Sequence, residues 1–291
     1  MNLNQLKYFS AVCECRTVSA AAEYLHISQP SLSNAIKELE EEFGVKLFYR
    51  QHSGMTLTAE GERLYKMSCE LLNRAEQTEN IMKDMGKQRR ILRLGTPPMI
   101  GSVILPRIYS EFLPENPDIN IEITEGGRQE LISKLSDGLL DMVFIPHENY
   151  SDKSLSSINI VRTEIVCCVS ENSPLASNEK ITAKELSKTP LVLFKDNFYH
   201  TEEVRRWFRL AGVKPDIILQ SAQLSTLQSL IHNNVAAGFM FRPLVNEEKG
   251  LRAIPAEPCM EINIILAWKN DGYLFSSMKK FKSYVENHDL F

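Results

Sequence analysis

The sequence predicts an α/β protein in which a small, mainly helical N-terminal part leads into one long helix and then into a larger part of alternating strands and helices. Three observations predict it. Apolar residues recur at helical spacing over residues 3–43. A heptad-like stripe follows over residues 59–87. From Ile91 onward, short apolar runs alternate with helical patterns, which implies a mostly parallel sheet covered on both faces.

Leu3, Leu6, Tyr8, Phe9 and Cys13 place one apolar face on a first helix. Thr17 stands at an N-cap position before Val18–Leu25, where Ala20, Ala21 and Ala22 favour helix and let a neighbour approach closely. His26-Ile27-Ser28 makes a turn, and Ser28 is a second N-cap. Pro30 falls in the next first turn, where its missing N–H costs nothing. The third helix, residues 29–43, buries Leu32, Ile36, Leu39 and Phe43, and Gly44 ends it. Helix, short turn and helix form a helix-turn-helix. Two extended runs, 45–50 and 55–58, flank Gln51-His52-Ser53-Gly54 and read as a hairpin, the wing beside it.

In the long helix, Leu64, Ser68, Leu71, Ala75, Thr78, Met82 and Met85 alternate spacings of four and three. This helix either packs on its own domain or dimerises as a coiled coil; the lack of another apolar face favours dimerisation. Strands are expected at 91–95, 119–123, 141–145, 165–169, 191–194, 217–219, 237–241 and 262–268. Helices are expected at 104–112, 129–136, 202–210, 226–233 and 276–287. The divisions are 1–58 (winged helix-turn-helix), 59–88 (linker and dimerisation helix) and 89–291, whose lobes are 89–162 with 267–291, and 163–266.

Composition limits the function. Net charge is -4, and the first 90 residues hold 12 cations and 12 anions, so bulk charge does not mark a nucleic-acid binder. The N-terminus lacks the look of a secretion signal, and no run of about 18 apolar residues suggests a membrane span. A cytoplasmic setting with reduced thiols is expected. The six cysteines follow neither a CxxC nor a finger spacing, so no metal or cofactor is expected. Cys167 and Cys168 fall in a strand, where burial is usual, and Cys259 falls near a loop. No G-x-S-x-G, HExxH or P-loop pattern occurs, so no catalytic residue is assigned and the chain is not expected to be an enzyme.

The N-terminal residues resemble the LysR-type transcriptional regulators. The resemblance runs through Leu6-Lys7-Tyr8-Phe9, Ser19–Leu25, Ser28-Gln29-Pro30-Ser31-Leu32-Ser33, Gly44–Arg50 and Leu57-Thr58-Ala59-Glu60-Gly61. Leu105-Pro106, Glu125-Gly126 and Leu139-Leu140-Asp141 extend it downstream. It implies a periplasmic-binding-protein-like, two-lobed effector domain with a ligand cleft between the lobes. It also implies double-stranded promoter DNA and a small organic effector as partners, with homodimers or homotetramers, and RNA polymerase where the protein activates. The alternative is a two-lobed metabolite-binding protein or an enzyme.

The start of the recognition helix would enter the major groove. Thr17, Ser28, Gln29, Pro30, Ser31, Ser33 and Asn34 are the expected DNA contacts there, with Arg50 as the wing's phosphate contact and Lys37, His52 and Thr56 as its helpers. Gln pairs bidentately with adenine, although Gln29 and Ser31 also suit a purely capping role. Many family members carry Arg where this chain has Asn34 and Ser53. The effector cleft is expected beyond the strand ends. Candidates in the first lobe are Thr96, Pro97, Pro98, Met99, Ile100, Arg128, Pro146 and His147, with Gly101-Ser102 opening the helix there. Those in the second lobe are Phe194, Lys195, Tyr199, His200, Gln223, Ser225 and Phe239. Many relatives have Ser or Thr where this chain has Arg128. The arginine either clamps a carboxylate, which points to an anionic effector, or pairs on the surface with Glu125 or Glu130.

Overall fold

The computed structural model describes residues 1–51, 54–86, 89–147, 153–246 and 248–291. The chain divides into two compact units, Met1–Met85 and Gly86–Phe291.

The first unit holds α1 (Leu3–Cys15), α2 (Val18–Tyr24), α3 (Gln29–Phe43), the hairpin β1 (Phe48–Gln51) and β2 (Gly54–Leu57), and α4 (Ala59–Met85). Local chemistry fixes each helix start. Asn2 closes a capping box with Gln5, Thr17 accepts from the Ala20 N–H, and Ser28 accepts from the Ser31 N–H. Gly44 ends α3 at φ 68°. Phe9, Val12, Ala21, Ala22, Leu32, Ile36, Leu39 and Leu47 form the core, and the two buried alanines let α2 lie close to its neighbours.

Two glycines lock the hairpin and α4 in place. At Gly54 (φ 130°) a Cβ would stand 2.8 Å from the Arg16 carbonyl oxygen, which accepts from the Met55 N–H at 2.9 Å. At Gly61 a Cβ would stand 2.2 Å from the Leu47 carbonyl oxygen. Thr58 completes the joint: its hydroxyl donates to the Lys46 carbonyl at 2.6 Å and accepts from the Gly61 N–H at 3.0 Å.

The seam expected on α4 needs correcting at its start. Leu64 packs against the head's own core, and Ser68 is fully buried with a hydroxyl that has no hydrogen-bond partner among the described residues. The side that remains open carries Met67, Leu71, Met82 and Met85, with Leu71 45% exposed. An apolar face thus exists, rotated from the expected one over its first two turns.

The second unit opens with β3 (Ile91–Thr96) and α5 (Pro98–Arg107), which continues through a π-helical turn, Ile108–Phe112, into α6 (Leu113–Glu115). Then come β4 (Asn120–Glu125), α7 (Arg128–Ser136), β5 (Met142–His147) and β6 (Leu155–Ser170). The second lobe adds β7 (Ile181–Thr182), α8 (Ala183–Leu186), β8 (Pro190–Phe194), α9 (Tyr199–Leu210), β9 (Asp216–Ser221), α10 (Leu224–His232), β10 (Ala237–Phe241) and α11 (Arg242–Asn246). β11 (Leu251–Lys269) and α12 (Ser276–Asn287) close the chain.

The strands form one sheet in the order β4-β3-β5-β11-β6-β10-β8-β9, with β7 beside β11. It is parallel within each lobe, β4-β3-β5 and β10-β8-β9, as the βα alternation predicts. Between the lobes it is antiparallel, because β6 and β11 pair along nearly their whole lengths. These strands, of 16 and 19 residues, are far longer than the runs expected at 165–169 and 262–268. α5 and α9 also begin earlier than expected. Pro98 occupies the first turn of α5, where its fixed φ suits a helix, so Gly101-Ser102 lies inside the helix rather than at its start.

Asp141 anchors the first lobe. Both of its carboxylate oxygens accept from Arg89 Nη2, at 2.8 and 2.6 Å, and one also accepts the Arg93 N–H at 2.8 Å. The Arg89 guanidinium lies 3.6 Å over the Phe275 ring. A buried carboxylate is tolerable only when satisfied in this way. No helix among the described residues is long and apolar enough to cross a membrane.

The Gly61 contact yields a prediction. Gly61→Ala should destabilise the N-terminal unit by about 1–3 kcal/mol, because a backbone carbonyl cannot move aside as a flexible side chain can. Thermal unfolding followed by circular dichroism checks this, and an unchanged melting temperature would contradict it.

Candidate functional site

The N-terminal turn of α3 is open. Ser28, Gln29, Pro30, Ser31 and Asn34 are exposed, and Ser33 is half-buried. Capping occupies part of this set. The Ser28 and Ser31 hydroxyls lie 2.7 Å apart, and Gln29 Oε1 accepts from the Ser19 hydroxyl at 3.3 Å. Thr17, half-buried, spends its oxygen on the Ala20 N–H. Lys37 pairs with Glu41 at 3.3 Å, and Lys46 with Glu40 at 2.7 Å. Burial raises the Glu40 carboxyl, but the Lys46 hydrogen bond and the Leu47 N–H outweigh it, and the net shift is downward. Arg50 lies in β1 opposite Met55. His52 lies outside the described residues. Sequence reasoning passed over Tyr49, which is 59% exposed on the hairpin and paired in register with the exposed Thr56.

In the second unit a cavity lies between the lobes. Pro97, Pro98, Met99, Arg128 and Pro146 line it from the first lobe, and Phe194, Phe198, Tyr199, His200 and Phe241 from the second. It encloses about 10 Å³, room for about one water molecule. The lobes touch beside it: a Cβ on Gly127 would stand 2.4 Å from the Asn197 carbonyl oxygen.

Eight of the expected effector residues meet in this cavity, and seven do not. Thr96 is buried, with its hydroxyl donating to the Pro97 carbonyl at 3.2 Å. Ile100 is buried in α5. His147 pairs with Asn263 inside β5 instead of following the strand, because β11 extends the ladder to that residue. Lys195 is exposed, Gln223 precedes α10 and accepts from Thr226, and Ser225 is exposed on α10. Phe239 packs on Trp207 and Phe208. Phe241 shares its face of β10 but lies two residues nearer the strand end, where the start of α9 brings His200 to 6.1 Å between ring centroids. The strand-end rule that singled out Phe194 leads equally to Phe241, the last residue of the strand expected at 237–241. Phe198 was missed because α9 begins three residues earlier than expected.

Arg128 is half-buried at the first position of α7. Its Nε donates to the Pro146 carbonyl at 3.1 Å. Glu130 instead pairs with Lys134 at 2.8 Å, and among the described residues no carboxylate forms an ion pair with Arg128. His200 is buried in a ring cage, with Phe194 at 4.8 Å and Phe198 at 6.3 Å between centroids. Its only hydrogen-bond contact among the described residues is Thr201 Oγ1 at 3.5 Å. Desolvation lowers its pKa to about 3, so the ring stays neutral.

Cys167 and Cys168 are buried, and desolvation pushes both upward. Cys259 is exposed but lies within β11 rather than near a loop. It is pushed up to about 11 by burial and then by its hydrogen bond to Glu164. Raised thiols resist forming the reactive thiolate.

His200 gives a pH prediction. Its folded pKa lies below its unfolded value, so protons favour the unfolded chain. The stability it contributes is intact above about pH 6.5 and is lost as pH falls toward 3. Between pH 7 and pH 5 this costs about 2 kcal/mol. Urea unfolding at both pH values should show a smaller loss in His200→Gln than in the wild type, and equal losses would contradict the assignment.

The chain matches the family model "Bacterial regulatory helix-turn-helix protein, lysR family" over residues 3–62, and "LysR substrate binding domain" over residues 86–289. It is 26% identical over 294 residues to the uncharacterized HTH-type transcriptional regulator YwbI of Bacillus subtilis (strain 168), covering 99% of this chain and 97% of that protein. It is 28% identical over 283 residues to the HTH-type transcriptional regulator CysB of Burkholderia cenocepacia, covering 95% and 90%. Among solved structures, the LysR family regulator CbnR superposes with a TM-score of 0.71 at 20% identity, covering 98% of each chain. Full-length CbnR complexed with its target DNA gives 0.73 at 20% identity, covering 98% and 99%. The likeness to CbnR is one of fold. With both family models matched in order and together spanning nearly the whole chain, this protein belongs to the LysR family and is a LysR-type transcriptional regulator.

Proposed function

We propose that the protein binds promoter DNA as a dimer or tetramer in the cytoplasm and changes that binding when a small anionic effector occupies the interlobe cleft. The exposed first turn of α3 carries the reading: Gln29, Pro30, Ser31 and Asn34 are offered to solvent at the helix end that enters a major groove in this kind of module. Gln29 reads a base edge, while Ser28, Ser31, Ser33 and Thr17 position the helix on phosphate and sugar. Lys37, Arg50 and His52 supply cationic or polar contacts. Residues 1–58 are the reading head, 59–88 join two heads, and 89–291 sense the effector, the lobes being 89–162 with 267–291, and 163–266. The CbnR–DNA complex supports the DNA partner. RNA polymerase is the further partner where the protein activates. The chain works by binding rather than by chemistry, as befits relatives named as regulators.

Effector acts by favouring one relation of the lobes over another, which requires that it bind the two arrangements unequally. Arg128 and the ring-lined wall are the parts of the cleft best suited to such a difference, because they lie on opposite lobes.

Two substitutions test the DNA-binding part. Leu71→Asp places a charge on the open face of α4, where 45% exposure leaves the head's own fold intact. In gel shifts with the DNA upstream of its own gene, affinity should fall about 100-fold or more as the heads separate. Unchanged affinity would contradict pairing through α4. Gln29→Ala should cost about 1–3 kcal/mol at a single base pair and relax preference there. A uniform loss across all sequences would instead assign Gln29 to the backbone.

A further inference from the structure

We propose that the cleft ligand is a short-chain monocarboxylate with a hydrocarbon body, its carboxylate on Arg128 and its chain against the aromatic wall of the second lobe. This rests on reading the cleft as the effector site. Among the described residues, Arg128 is the one charged residue lining the cavity. Its contact among those residues is a neutral carbonyl, made through Nε, which leaves the Nη edge to meet a carboxylate with two parallel hydrogen bonds. A guanidinium in an apolar cleft that no described carboxylate pairs is half of an ion pair, and an anion completes it.

The rest of the wall rules out other ligands. Met99, Phe194, Phe198 and Phe241 are nearly fully buried and apolar. A dicarboxylate would place its second charge against these rings with no cation to meet it. Lys195, which could have supplied one, is exposed outside the cavity lining. His200 is held neutral by burial and adds no second positive charge. An amino acid would bring an ammonium group, and no carboxylate is among the described residues that line the cavity. A neutral amide of the same shape would leave Arg128 uncompensated. The enclosed space is about 10 Å³, and the lobes already meet at Gly127 and Asn197. Entry therefore requires the lobes to part, and each added ligand atom requires them to part further, which favours a short chain.

Isothermal titration of the full chain with isovalerate, isovaleramide and glutarate tests the class. Isovalerate should bind about tenfold or more tightly than either of the others, the scale of hydrogen bonds to a charged group. Arg128→Met should lose about tenfold or more for isovalerate, and Arg128→Lys should recover part of it because charge returns without the planar fork. An unliganded melting temperature equal to wild type shows that the variants are folded. If isovaleramide or glutarate binds as tightly as isovalerate, the class is wrong while the cleft remains the effector site. Failure of all three to bind also overturns the class. If isovalerate binds but neither Arg128 variant changes its affinity, the ligand sits elsewhere, and the reading of the cleft falls with the proposal.

Discussion

Residues 1–58 carry Lys7, Arg16, Lys37, Lys46 and Arg50 against six glutamates, and Lys37 and Lys46 already lie beside Glu41 and Glu40. Phosphate neutralisation supplies most of the sequence-independent affinity for DNA. A head whose cations are outnumbered and partly paired has little of it. Exposed pairs such as Lys37–Glu41 are individually feeble, so phosphate can compete for the lysine, but only after its glutamate has been left behind. On the function proposed above, specific recognition by such a head depends on doubling it. The joint at Thr58 and Gly61 matters for that reason: it fixes where α4 leaves the head, and hence where a second head would stand if two α4 helices paired.

The cleft shows the opposite condition. A buried charge elsewhere in the effector unit is matched, in the Arg89–Asp141–Arg93 group, whose carboxylate is nearly fully buried. Arg128 stands at the mouth of α7 with a carbonyl for company. Protein interiors rarely leave a cation so, and where they do the group commonly belongs to binding rather than to stability. The neutral His200 and the phenylalanine rings make the surroundings of that cation apolar, which strengthens its attraction for an anion.

Local chemistry made much of this legible in the sequence. Thr17, Ser28, Pro30 and Gly44 marked the head's helices because caps and stops act within one turn. Long-range pairing was not legible. β6 and β11 owe their length to one another, across nearly a hundred residues, and no periodicity within either reveals the partner. The same long strand β11 placed His147 in a ladder rather than in the cleft. Phe241, by contrast, ends the strand expected at 237–241 and was legible there. Ser68 kept the heptad spacing yet is buried, on the helix that packs against α1. Arg128 was legible as a residue type at a helix start, but that Lys134 rather than Arg128 holds Glu130 was not.

If heads act in pairs, one head alone holds its DNA weakly. Fluorescence anisotropy with the wild-type full chain, comparing the intact upstream site with the same duplex cut to one half-site at equal ionic strength, tests this without any substitution. The half-site duplex should bind about 100-fold or more weakly, because only one head then engages. Affinities for the two duplexes within a few-fold of each other would contradict it.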